Sequence, residues 1–162
     1  YKEVFFLPQN SIDPWFKITV KEYITKKINS YKHLSNPQKR YKDIVRQMKL
    51  STYLEANYKN LSDGEKRWIN LAIAIACDTK VLLIDGFGQS LGEEKLNILS
   101  KILYKKINYD GVSLIACTHV REKLSKIASV YVKLSFGKII GLRSHKKHID
   151  SSQKSRKSRK SK

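Results

Sequence analysis

"LSDGEKRWINLAIAIACDTKVLLID", residues 61 to 85, packs a helix start, a buried helix and a strand into one short run. Ser62 and Glu65 stand at capping-box spacing, in which each side chain answers a main-chain N–H that the first helical turn leaves open. Gly64 between them lets another group come close to the backbone. The second half of the helix is apolar nearly all round, so it is expected inside the protein. "KVLLID" then runs as a buried strand and delivers Asp85 to its C-terminal end. A hydroxyl, free N–H groups and a helix N-terminus together make an anion site. Taken alone, the same residues are equally a well-made helix start, worth about 1 kcal/mol. The carboxylate at the strand end stands where Mg²⁺-nucleotide enzymes keep one.

The flanks extend this grammar. Upstream, "EVFFLPQ" reads as a short strand that must stop at Pro8, which has no N–H for the ladder, and it ends in Gln9. Thr19 and Glu22 form a second capping box, with Val20, Ile24 and Ile28 on one helical face. Asn36 and Pro37 open a further helix whose buried face would be Tyr41, Ile44, Val45 and Met48. Downstream, "EEKLNILSKILYKKI" is an amphipathic helix and "GVSLIAC" a strand leading to His119. "VYVKLSFGKIIGL" reads as two strands around a Phe-Gly turn. Apolar strands alternating with helices imply a parallel sheet covered on both faces. The expected class is therefore α/β, with a helical piece over about residues 10 to 60 set into a core over 61 to 142. Gln9, Ser62, Asp85 and His119 then each sit at the end of a strand or the start of a helix, and open α/β sheets bind ligands at their strands' C-terminal ends.

Composition bounds the partners. The chain has 162 residues, 41% of them hydrophobic, enough for one packed domain. Residues 143 to 162 carry nine Lys/Arg against one Asp, so that segment holds +8 of the net +19 and leaves +11 on the rest. A segment so charged cannot bury apolar surface and is expected to be a disordered tail. The basic body suits anionic partners: nucleotides, nucleic acid or acidic lipid. Cys77 and Cys117 lie in apolar runs without a metal or redox pattern and are expected to be buried, reduced thiols. No run approaches the length of a membrane span and none reads as a signal peptide, so neither is expected within these residues. "YKEVFFLPQ" reads as the middle of a strand, so further sequence is expected upstream.

These residues resemble the ATP-binding-cassette (ABC) ATPases. The stretch from Leu61 to Asp85 is similar to the family's signature sequence, the helix behind it and the Walker B strand. "FFLPQ" resembles the Q-loop, "TVKEYI" the helix opening after it, "SLG" the D-loop and "ACTH" the switch-histidine strand. The resemblance covers residues 3 to 142 and implies a P-loop NTPase-like, mostly parallel sheet with an inserted helical subdomain, incomplete on its N-terminal side. It implies that ATP is sandwiched between two cassettes, as a homodimer or heterodimer. Ser62, Gly64 and Glu65 would touch the γ-phosphate of the partner's ATP. Gln9 and Asp85 would contact Mg²⁺ and its waters in the chain's own site, and His119 the γ-phosphate.

The sequence departs from the family pattern in four places. No G-x-x-x-x-G-K-[ST] phosphate loop occurs, so tight binding of ATP within the chain is not expected. The position after Asp85, where the family places a Glu that orients and deprotonates water, is Gly86, followed by Phe87 in place of the usual Pro. Losing a general base costs roughly 10²–10⁴-fold in rate, so hydrolysis is expected to be slow or absent. Gly92 replaces the D-loop Asp, which weakens communication across the dimer. Asp63 stands where a Gly is usual and adds a negative charge beside the phosphate site.

The resemblance thus implies the ATP-binding subunit of an ABC transporter, cytoplasmic and peripheral on the cytosolic face of a membrane. Its partners would be a second cassette and a transmembrane permease that docks near Trp15 and Phe16. Two alternatives remain open at this level. One is a non-transport ABC protein acting on nucleic acid or translation, with the basic tail binding phosphate backbones or anionic lipid. The other is a gene fragment without function.

Overall fold

A computed structural model describes residues 3–10, 13–119, 124–125 and 127–144. Most of the basic tail, residues 145–162, lies outside the described residues. The chain divides into two units, Tyr1–Ile127 and Ala128–Lys162.

In the first unit the helix starts fall where local chemistry put them. Thr19 caps α1 (Val20–Asn29) in a complete capping box with Glu22. Asn36, in the left-handed region at φ 55°, caps α2 (Pro37–Gln47) by accepting from the Lys39 N–H. Ser62 and Glu65 form the box that opens α3 (Asp63–Ala76). Gly92 stands at the N-cap of α4 (Glu93–Tyr109) without a side-chain cap, and Glu93 and Glu94 supply first-turn charge that favours the helix dipole. Two short 3₁₀ turns, Ser51–Tyr53 and Tyr58–Asn60, link α2 to α3.

The helical piece closes on itself before it meets the sheet. Val20, Ile24 and Ile28 are buried on one face of α1, as their spacing predicts, and Met48, Leu50, Tyr58 and Trp68 are buried as well. Trp68 is 1% exposed, and its indole N–H donates to the Met48 carbonyl at 3.0 Å, so burying the ring leaves no donor open. Main-chain bonds from Val20 to Ala56 (3.0 Å) and from Tyr58 to Ile18 (2.9 Å) tie both ends of the piece together.

The sheet of this unit has three parallel strands in the order β1 (Val4–Leu7), β2 (Val81–Ile84), β3 (Ser113–Ala116). Leu7, Ile84 and Ala116 share one register line. The strands therefore end together, and Gln9, Asp85 and His119 leave from the same end. β2 lies in the middle and buries Leu82 and Ile84. The flanking strands leave Phe6 and Ile115 exposed. Cys77 is buried as expected, but Cys117 is exposed, because it follows a strand at the edge of the sheet rather than an interior one. Among the described residues no helix is long and apolar enough to cross a membrane.

The second unit contains the hairpin of β4 (Val130–Ser135) and β5 (Lys138–Ser144). Its turn is Phe136-Gly137, with φ 47° and 72°. Two successive left-handed residues match the right-handed twist of the strands, which is why a two-residue loop suffices.

Candidate functional site

The parallel register assembles the site. The Asp85 N–H donates to the Leu7 carbonyl and the Cys117 N–H to the Ile84 carbonyl, each at 2.9 Å, so the three strand ends are bonded in a row. Just beyond, the Phe87 N–H reaches the Cys117 carbonyl at 2.7 Å, and the Thr118 hydroxyl donates to the Phe87 carbonyl at 2.8 Å. Asp85 is half-buried, whereas Gln9 and His119 are exposed.

The Ser62–Glu65 turn opens α3, whose Arg67 bonds these ends. The Ser62 hydroxyl donates to Glu65 Oε2 at 2.7 Å and the Ser62 N–H donates to the same oxygen at 2.9 Å. The two Ser62 bonds hold the Glu65 carboxyl below its usual range, the hydroxyl contributing most, so the carboxylate stays charged. The same groups that make a helix start are those expected to meet a phosphate. Gly64 is a glycine for a reason inside this chain: a Cβ there would lie 2.5 Å from the Ser90 carbonyl oxygen. Asp63, exposed in the first turn of α3, borders a polar cleft of about 300 Å³ together with Gln9, Asn10, Arg67, Gln89 and Ser90. The cleft brings Gln9 and Asp63 together; Ser62, Gly64, Glu65, Asp85 and His119 do not line it. A shallower hollow of about 480 Å³ between Tyr41 and Thr52 contains none of the predicted site residues.

Arg67 is the residue that sequence reading passed over. It is 4% exposed, and its guanidinium donates to the carbonyls of Pro8 and Gln9 on one side and of Asp85 and Gly86 on the other. One planar fork on α3 thereby holds the ends of both β1 and β2. Burial pushes its pKa down from the usual guanidinium range, and the Asp85 carboxylate offsets part of that. The available signal was an arginine directly before Trp68, where the helix turns apolar.

The loop after Asp85 is rebuilt around glycine. Gly86, Gly88 and Ser90 lie at φ 67°, 80° and 58°. The Gln89 N–H closes a turn on the Gly86 carbonyl at 3.1 Å. Phe87, 1% exposed, anchors that turn in the interior.

As a metal site the arrangement offers one carboxylate, Asp85, and one amide, Gln9. No group of three or more His, Cys, Asp or Glu is gathered among the described residues. A single carboxylate fits Mg²⁺ carried in on substrate phosphates rather than a resident metal cage.

No protein-family model matches the chain. A putative ABC transporter ATP-binding protein of Clostridium tetani is 27% identical over 121 residues, 73% of this chain and 26% of the relative. The energy-coupling factor transporter ATP-binding protein EcfA2 of Clostridium perfringens is 30% identical over 92 residues, 55% of this chain and 31% of the relative. The chain thus spans about a quarter to a third of the curated relatives it matches here. A solved ATP-binding cassette, dimeric and in a post-hydrolysis state with ADP and Pi bound, superposes with a TM-score of 0.75 at 18% identity, over 88% of this chain and 62% of the cassette. In sequence this chain is similar to part of these ABC transporter ATP-binding proteins, and its fold is that of part of a solved ATP-binding cassette.

Proposed function

We propose that this chain forms part of the ATP-binding subunit of an ABC transporter, and that its own hydrolytic position is impaired while its signature turn, apart from Asp63, is better preserved. One observation carries the reading. The strand register delivers Gln9, Asp85 and His119 to one end of the sheet, yet the residue after Asp85 is a glycine in the left-handed region. Asp85, with Gln9, would hold Mg²⁺ on the phosphates, and His119 would approach the γ-phosphate. Ser62 and Gly64 would serve a nucleotide held mainly by a second cassette, whose binding at the α3 N-terminus uses backbone N–H groups and the helix dipole. Asp63 adds a negative charge that opposes the phosphate, and the Glu65 carboxylate is taken up by the Ser62 cap. The subunit would work at the cytosolic face of a membrane, against a permease that meets the exposed Trp15 and Phe16.

The test is association with a nucleotide-competent cassette, read by light scattering. Mg-ATP should drive the pairing and ADP should not, and Ser62→Arg should abolish it. Turnover of ATP at ordinary rates by the unpaired protein would overturn the proposal.

A further inference from the structure

Replacing a catalytic carboxylate by glycine usually leaves a hole. Here the first part of that space, where the side chain would leave the backbone, is filled. An ideal Cβ built on Gly86 would lie 2.6 Å from Gln89 Oε1, 3.7 Å from Gln89 Cδ and 3.3 Å from Gln9 Cγ. The side-chain amide of Gln89 therefore occupies the place in which a side chain at position 86 would begin. The turn that carries it there is fixed: Gln89 N–H bonds the Gly86 carbonyl, Phe87 is buried, and Thr118 holds the Phe87 carbonyl. Gln89 itself remains exposed and borders the polar cleft beside Gln9.

We propose that Gln89 takes over the water-orienting half of the missing glutamate's work. The proposal rests on the ATPase reading above. An amide can accept a hydrogen bond from water through Oε1 and donate one through its NH₂, so it can align an attacking water, but it takes no proton. The water oxygen then bonds to the γ-phosphorus as the bond to the bridging oxygen breaks. The water's proton passes to a phosphate oxygen, giving ADP and inorganic phosphate. Turnover by this route is slow, and it has no acid limb from a titrating base at this position. The charged groups that line the cleft with Gln89 are Asp13, Asp63, Lys66 and Arg67.

The same geometry separates two repairs that sequence alone makes equivalent. Gly86→Glu restores the family's residue, but at φ 67° and on top of the Gln89 amide. Gln89→Glu puts a carboxylate in the occupied space with no change of backbone.

The experiment uses the full protein with a partner cassette whose own catalytic carboxylate has been replaced, so that turnover reports this chain's site, and Mg-ATP binding is measured first. If binding is normal, Gln89→Ala should lower residual turnover about 10-fold, and Gln89→Glu should raise it by about 10-fold or more, within the span of general-base effects. The Gln89→Glu rate should also fall as pH drops through a carboxylate range, where the parent rate stays flat. Gly86→Glu should give no gain and a lower Tm. Normal binding with a silent Gln89→Ala, with no gain in Gln89→Glu, or with Gly86→Glu the faster variant, overturns the role of Gln89. Absence of Mg-ATP binding in the parent complex overturns the ATPase reading itself.

Discussion

The Arg67 guanidinium donates to the Gly86 carbonyl at 3.2 Å, joining the signature helix to the loop after Asp85. Its other bonds run to Asp85 and back to Pro8 and Gln9, so a displacement of α3 is felt at both strand ends. Truncating it strips a buried partner from four main-chain carbonyls. Arg67→Met should cost about 2–4 kcal/mol, a fall of roughly 5–10 °C in Tm. Arg67→Lys should recover only part of this, because a single ammonium cannot span two loops as a planar fork does. Thermal denaturation of the two variants checks the order; equal Tm values for Lys and parent would refute the clamp.

Gly64 and Gly92 should respond in opposite ways. A methyl at position 64 meets the Ser90 carbonyl oxygen at 2.5 Å, a backbone atom that cannot swing aside. Gly64→Ala should therefore destabilise by about 1–3 kcal/mol. At position 92 nothing lies within 4 Å, and the backbone (φ −67°, ψ 164°) already has N-cap geometry. Gly92→Asp restores the D-loop residue and supplies the cap that α4 lacks, for a gain of a few tenths of a kcal/mol. Urea midpoints of both variants test this, and a neutral Gly64→Ala would contradict the packing.

Much of this arrangement could be read from the residues, and the part that could not has a common cause. The two capping boxes, the Asn36 cap, the Phe-Gly hairpin turn and the parallel strands are short-range signals: each is written within a few residues, and each is where it was expected. The departure at Gly86 was equally plain as a missing carboxylate. What stayed hidden depends on partners remote in the chain. Arg67 is held by carbonyls of two loops, Gln89 matters through its position over Gly86, and Cys117 is exposed because β3 is at a sheet edge. No periodicity encodes such relations.

Asp78 ties the helical piece to the core and gives stability a pH dependence. Its carboxylate bonds Arg40 of α2 at 2.9 Å and Lys106 of α4 at 2.6 Å. Burial alone would raise its pKa, but the hydrogen bond and charge of Lys106, then Arg40, outweigh it and hold the group below the usual aspartate value. A carboxyl depressed on folding contributes stability at pH above its unfolded pKa, and that contribution is lost as pH falls through the folded value. Unfolding free energy should thus decline below about pH 4. Asp78→Asn keeps a residue that tolerates the left-handed φ of 51° and removes the charge. Because the side chains are partly exposed, the cost at neutral pH should be only about 1 kcal/mol after screening, with a shallower acid limb. An unchanged pH profile would show that the two cations do not act through Asp78.

Trp15 offers the sharpest test of the proposed docking surface. It is 88% exposed, with its ring edge-on to Phe16 at 5.4 Å between centroids. Lys59 donates to the Trp15 carbonyl at 3.0 Å, and the Lys26 ammonium lies 5.0 Å from the centre of the Phe16 ring. The backbone is therefore held while the indole, touching Phe16, stays open to solvent, which suits an aromatic anchor presented to a partner. Trp15→Ala removes little buried area, so Tm should stay within about 1 °C of the parent. Loss of an anchor worth about 2 kcal/mol should weaken permease binding roughly 30-fold. Co-purification with the permease and a binding titration in detergent read this directly. A variant that folds normally and binds as the parent does would move the docking surface elsewhere, whereas a variant with a lowered Tm would show that the indole packs its own loop.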